Sequence, residues 1–260
     1  MVEAASVRVE ASSGQELAVR RDSNGTASAA GPETLFFVHV PKCAGSSFRQ
    51  VLKRWFGHQA VFIDTHDPRA LAAAVGELDD PPRAVAGHIP FGLHEGLGLT
   101  PCYAALVRDP LDRFVSFHQH ARRTPDHPMH RPAAALDVEA FYDFTLRDPR
   151  AAGQTRGVQC YFLSRERTFA AARTAVDRFA LAAPTTRYDD FVRALAERLG
   201  RQAPELRPRN VGDGRADSDA ARARLQPRIA ADHAEDMALF TYVSDTFDAR
   251  RARLLSAATA

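Results

Sequence analysis

The sequence predicts a three-layer α/β/α fold around a central parallel sheet, and three observations carry that expectation. Residues 34–40, TLFFVHV, are an unbroken apolar run of strand length, as a strand buried on both faces requires. Further short apolar runs stand at 60–64, 83–89, 103–109 and 179–184. Helical periodicity separates most of these runs, and strands alternating with helices argue for parallel strands covered on both faces.

In chain order, residues 1–32 are rich in Ala, Ser, Gly and charge with few large apolar groups. They read as a flexible arm with one short strand at 6–9, leaving 33–260 as a single domain. A chain of 260 residues has room for one well-buried core and little more. After the first strand, Phe48, Val51, Leu52, Trp55 and Phe56 recur at helical spacing, and Gly57 supplies a stop. Residues 67–78 read as a second helix. Asp109 and Pro110 open a third, an N-cap acceptor followed by the residue best suited to a first turn. Its apolar face is Leu111, Phe114, Val115 and Phe117.

Residues 124–137 hold three prolines and two histidines and read as a loop able to cover a site. Helices are expected near 139–147, over 152–163 and over 170–179. An amphipathic helix at 188–200 is closed by Gly200, and helical stretches run from about 217 to the end.

Composition excludes several functions. The balance of 34 basic and 32 acidic side chains, net +2, is too even for general binding to nucleic acid or an anionic membrane. Cys43, Cys102 and Cys160 lack paired spacing, so neither a disulfide framework nor a metal cluster is expected. A leader pattern and an apolar run of spanning length are both missing from the sequence, which makes a cytoplasmic protein without a membrane span the expectation.

The chemistry begins where the first strand ends, in PKCAGSS at 41–47. A strand-to-helix turn presents free amides and the positive end of the helix dipole, a setting for an anion. Lys42 adds a full charge, Gly45 permits close backbone approach, and Ser46 and Ser47 offer hydroxyls. The lysine precedes the glycine, unlike the GxxxxGK[ST] loop of ATP and GTP hydrolases. A nucleotide-dependent kinase would need a magnesium ligand; Asp109 follows a strand, although its N-cap position also explains it. A second anion grip lies in VRDPLDRFVSF at 107–117, where Arg108 stands at a strand end and Ser116 two turns into the next helix. Two separate grips suit a doubly phosphorylated nucleotide.

Together the segments FFVHVPKCAGSSF and VRDPLDRFVSFHQHAR resemble the 5′-phosphosulfate loop and the 3′-phosphate segment of sulfotransferases that use 3′-phosphoadenosine 5′-phosphosulfate. The likeness is greatest to the branch containing heparan sulfate 2-O-sulfotransferase and its bacterial relatives. It extends more diffusely through GVQCYFLS at 157–164, FALAAPTTRYDDFVRAL at 179–195 and RPRNVGDG at 207–214. The resemblance implies a P-loop NTPase-like sulfotransferase fold and donor contacts from Lys42, Cys43, Ala44, Gly45, Ser46, Ser47, Arg108 and Ser116. Cys43 stands where that branch usually has threonine. A carbohydrate acceptor is implied by the same branch, and metal is not required.

For a general base, His88 follows the strand run at 83–89, and strand ends in a parallel sheet face the ligand crevice. The resemblance supports it, since the family carries a catalytic histidine in a Gly-His-x-x-Phe/Tyr context. A helper two residues away is excluded by Ala86 and Pro90, which leaves His94 as the substitute. His39 reads as a core residue, and His118, His120, Arg122 and Arg123 as a solvated basic cluster. The competing functions are a nucleotide-dependent kinase and a catalytically silent nucleotide-binding module.

Overall fold

The computed structural model describes residues 33–205 and 219–257. The expected arm at 1–32, its strand at 6–9 and the segment at 207–214 lie outside the described residues.

The strand β1 (Glu33–Val38) is buried from Thr34 onward, as its apolar run requires. It pairs in parallel with β3 (Ala84–Gly87) on one side, Leu35 opposite Ala84, and with β4 (Thr100–Val107) on the other, Leu35 opposite Cys102. The outer strands β2 (Ala60–Phe62) and β5 (Leu181–Pro184) complete an all-parallel sheet in the order β2-β3-β1-β4-β5. From β1 the chain builds one half of the sheet and then crosses to the other. The crevice at the carboxyl ends of β1, β3 and β4 is therefore the switch point where open α/β sheets bind ligands.

Helix α1 (Gly45–Phe56) lays Phe48, Val51, Leu52, Trp55 and Phe56 against the sheet and stops at Gly57, whose φ is 55°. Phe48 meets Phe37 of β1 at 4.6 Å and Phe191 at 5.1 Å between ring centres. Helix α2 (Pro68–Gly76) is capped by the Asp67 carboxylate, which accepts from the Arg69 amide. The connection from β4 to β5 holds six helices, beginning with α3 (Pro110–Arg123), whose N-cap Asp109 accepts from the Asp112 amide at 3.1 Å.

Three expectations for this connection are corrected. The segment 124–137 is not an open loop: α4 (His130–Ala135) forms within it, and buried Met129 and Ala133 pin it to α3. His118, expected at the surface, is buried beneath it, its Nε2 facing the carbonyls of Ala133 and Leu136 at 3.1 Å. After α5 (Val138–Arg147), the single helix expected over 152–163 is instead two, α6 (Pro149–Thr155) and α7 (Val158–Ser164).

The break at Arg156 and Gly157 has a physical cause. Gly157 takes a left-handed φ of 60°, and a side chain there would run into Arg167. The exposed helix ends are met by two buried charges from distant elements. Arg113, fully buried, donates to the carbonyls of Gln154 and Thr155 at 3.0 Å. Asp236, also fully buried, accepts from the amides of Val158 and Cys160 at 3.0 Å. Burial pushes the Asp236 carboxyl above the usual range, while Arg113 and the two amides oppose that.

Helices α8 (Phe169–Val176), α9 (Tyr188–Arg198), α10 (Asp219–Asp232) and α11 (Ala234–Ser256) complete the described chain. The hydrophobic interior is divided. One cluster surrounds the sheet, α1, α7, α8, α9 and α11. A second, containing Leu111, Phe114, Phe141, Tyr142, Leu225 and Ile229, joins α3, α4, α5 and α10.

Replacing Asp236 by Ala strands two buried amides at the start of α7 and leaves Arg113 without its counter-charge. The expected loss is about 3 kcal/mol, and roughly 10 °C in Tm, for a chain of this size. Thermal unfolding of Asp236→Ala beside the wild type measures it, and a change within 2 °C would refute the capping role.

Candidate functional site

At the carboxyl end of β1 the chain makes a tight turn in which Lys42 and Ala44 hold left-handed φ values of 68° and 60°. Non-glycine residues adopt this conformation at a cost of about 1 kcal/mol each, so the turn is a strained and specified shape. The amides of Ala44, Gly45 and Ser46 have no acceptor among the described residues. They stand at the start of α1, where the helix dipole favours negative charge. Gly45 is required, though not by ligand approach alone: a Cβ there would lie 1.7 Å from Cδ2 of the His39 ring.

Cys43 corrects the expectation that the whole loop faces a ligand. Its side chain is 1% exposed, its amide donates to the Val40 carbonyl, and its Sγ reaches Oε1 of Gln159 at 3.5 Å. Burial raises its thiol to about 12, so it is an inert core group. The hydroxyl that a threonine would bring to this position would face Gln159 and not the cavity.

The other predicted residues meet in one cavity of about 980 Å³. Lys42, Ala44, Gly45, Ser46 and Ser47 form one side, Arg108 and Ser116 another, and His88 a third. Arg108 follows β4, and its Nη1 donates to the Lys42 carbonyl at 3.3 Å, which ties the end of β4 to the Lys42 turn. Burial, with the charges of Arg108 and Arg123 nearby, pulls the Lys42 ammonium down to about 8. Asp109 is occupied as the N-cap of α3 and does not line the cavity. The carboxylate that does line it, Asp112, forms an ion pair with Arg222. Among the described residues no group of three or more His, Cys, Asp and Glu side chains could hold a metal ion.

His88 is held at three points. Its amide donates to Oδ1 of Asp64 at 2.7 Å, its Nδ1 lies 2.7 Å from the His39 carbonyl oxygen, and its ring stacks on the His39 ring at 4.2 Å. A carbonyl oxygen only accepts, so Nδ1 carries the proton and the lone pair resides on Nε2. His39 is accordingly more than a core residue, since its ring lines the cavity beneath His88. Burial and the neighbouring His88 depress it to about 3, which keeps it neutral at ordinary pH.

His94 is not a helper. Its Nδ1 is 2.6 Å from the Tyr103 hydroxyl, and its ring packs against Phe36 and Phe91, outside the cavity lining. The cavity holds His66 instead, with its Nδ1 3.0 Å from the Tyr161 hydroxyl. His66, Tyr161 and Phe162 form a wall of rings beside His88, with Phe162 at 6.0 Å from it. His120, His127, Thr185 and Thr186 also line the cavity. A signal for two of these was available: His66 follows β2 and Thr185 follows β5, as His88 follows β3.

The family model described as "Sulfotransferase family" matches residues 28–196 of the chain. The chain belongs to the sulfotransferase family. Among solved structures this sulfotransferase resembles mouse sulfotransferase SULT7A1 complexed with PAP, at 13% identity over 83% of this chain and 90% of that one, with a TM-score of 0.37. Among curated proteins no significant match is found.

The sulfotransferase cavity sets the Lys42 ammonium beside the amides of the turn, and anion binding there is expected to follow the protonation of Lys42. With Lys42 titrating near 8, an anion binds the protonated form below that pH with little pH dependence from this group. Above it, binding must also take up a proton, so affinity falls by up to about tenfold per pH unit. Titration with sulfate, whose own charge is constant from pH 6 to 10, is expected to show this fall, and Lys42→Met to abolish it. A wild-type profile flat across pH 8 would remove Lys42 from the anion site.

Proposed function

We propose that this sulfotransferase moves the sulfuryl group of 3′-phosphoadenosine 5′-phosphosulfate to an acceptor hydroxyl on a carbohydrate or glycoconjugate. The observation that carries the reading is one cavity containing two separate cationic grips and a histidine with its lone pair on Nε2. Such an arrangement suits a donor with phosphates at both ends and an acceptor that must lose a proton.

The donor supplies a sulfuryl group joined to a phosphate leaving group. The loop amides with Ser46 and Ser47 hold its 5′ end, and Arg108 with Ser116 holds its 3′-phosphate. Sulfuryl transfer follows the logic of phosphoryl transfer, with a loose transition state served by positioning and charge. Lys42 stabilises the negative charge that grows on the leaving oxygen. His88 takes the acceptor proton at Nε2, as the acceptor oxygen bonds to sulfur and the bond from sulfur to the leaving oxygen breaks. The His39 carbonyl oxygen accepts a hydrogen bond from the Nδ1–H throughout and so stabilises the imidazolium that forms. For the acceptor, the rings of His66, Tyr161 and Phe162 offer flat faces beside His88, suited to the C–H face of a sugar. The motif likeness to the branch containing heparan sulfate 2-O-sulfotransferase supports the same substrate class.

Replacing His88 by Ala is expected to lower turnover by about 10²- to 10⁴-fold while leaving affinity for the donor product 3′-phosphoadenosine 5′-phosphate (PAP) unchanged. Calorimetric titration without magnesium supplies the binding arm, where PAP should bind tightly and ATP weakly. Full activity in His88→Ala would overturn the base assignment. ATP binding that appeared only with magnesium would replace the reading with a kinase.

A further inference from the structure

We propose that Gln159 is a positioning residue that fixes the spacing between the two anion grips. The inference rests on the donor reading above. Gln159 sits in α7, fully buried, and its amide is shared between both grips. Its Oε1 accepts from the Arg108 amide at 2.8 Å, and its Nε2 donates to the Arg108 carbonyl at 2.8 Å. The same Oε1 accepts the Cys43 thiol from the other grip at 3.5 Å.

The geometry does what a further β-strand would do. β4 ends at Val107, so the backbone of Arg108 has lost its sheet partners on leaving the ladder. A side-chain amide supplies one donor and one acceptor in the spacing of a peptide group, and Gln159 uses both on a single residue. It thereby holds the backbone from which the Arg108 guanidinium projects, while the Cys43 contact holds the underside of the Lys42 turn. The short helix that carries Gln159 is itself immobilised at its start by the buried Asp236 carboxylate, so the clamp has a rigid base. The same helix presents Tyr161 and Phe162 to the cavity two and three residues later. Other side chains that could reach Arg108 by length alone fail on chemistry: Glu lacks the donor and Lys the acceptor.

A group that sets the distance between two grips affects a ligand spanning both more than a ligand held by one. PAP spans both, whereas adenosine 5′-monophosphate, lacking the 3′-phosphate, engages the loop alone. Calorimetric titration of the wild type, Gln159→Leu and Gln159→Asn with each ligand reads the ratio of the two affinities. In both variants PAP affinity is expected to fall at least tenfold while monophosphate affinity stays within about threefold, so the ratio collapses. Gln159→Asn keeps a polar amide in the core but is one methylene too short to reach both groups of Arg108. A purely structural role would lower Tm and leave the ratio unchanged, and that result overturns the proposal. If Gln159→Leu does not fold, Gln159→Asn decides; if neither folds, Gln159 is a folding residue and the proposal fails. A wild type that does not prefer PAP to the monophosphate would remove the donor reading itself, an outcome separate from the failure of the clamp.

Discussion

Everything at the site depends on β1 being hydrogen-bonded on both sides. With β3 and β4 paired to it in parallel, three chain segments leave the sheet at the same edge and in the same direction. His88 and Arg108 are the first residues after their strands, and the Lys42 turn follows β1 after only His39 and Val40. Their meeting is a property of strand register before it is a property of side chains. A one-residue slip of β4 against β1 would carry the Arg108 side chain to the opposite face of the sheet.

That placement was largely legible in the sequence because it rests on local patterns. The apolar run at β1, the Asp109-Pro110 opening of α3 and the Gly57 stop are short-range signals with short-range causes. What stayed hidden was settled by contacts between residues far apart in the chain. The division of α6 from α7 depends on Asp236, 78 positions beyond the amide of Val158 that it caps. Gly157 was the visible trace of it, a glycine inside an otherwise helical stretch. Cys43 occupies a loop position that reads as ligand-facing, yet it turns inward because Gln159 lies beneath, 116 residues on. His94 and His66 could not be ranked from spacing, since only the partner each had found, Tyr103 or Tyr161, separates them.

The electrostatics of the cavity follow from the same economy of space. The chain is nearly neutral overall, but the turn, the end of β4 and α3 converge so that Lys42, Arg108 and Arg123 influence one another. Burial first, and the crowding of cations after it, lower the pKa of the one that can lose a proton, and Lys42 is the one. The histidines around it are depressed by burial and by its charge, as His120 and His127 show. The cavity lining therefore carries fewer full charges than its residue types suggest.

The divided hydrophobic interior has a consequence for how such a protein diversifies. The Lys42 turn and His88 are braced by the cluster around the sheet, whereas Phe117, His120 and His127 stand over the second cluster, among α3, α4 and α5. Substitutions that reshape the second cluster alter one wall of the cavity while the strand ends opposite keep their register. Selection can therefore remodel what that wall accepts without renegotiating the chemistry held at the edge of the sheet.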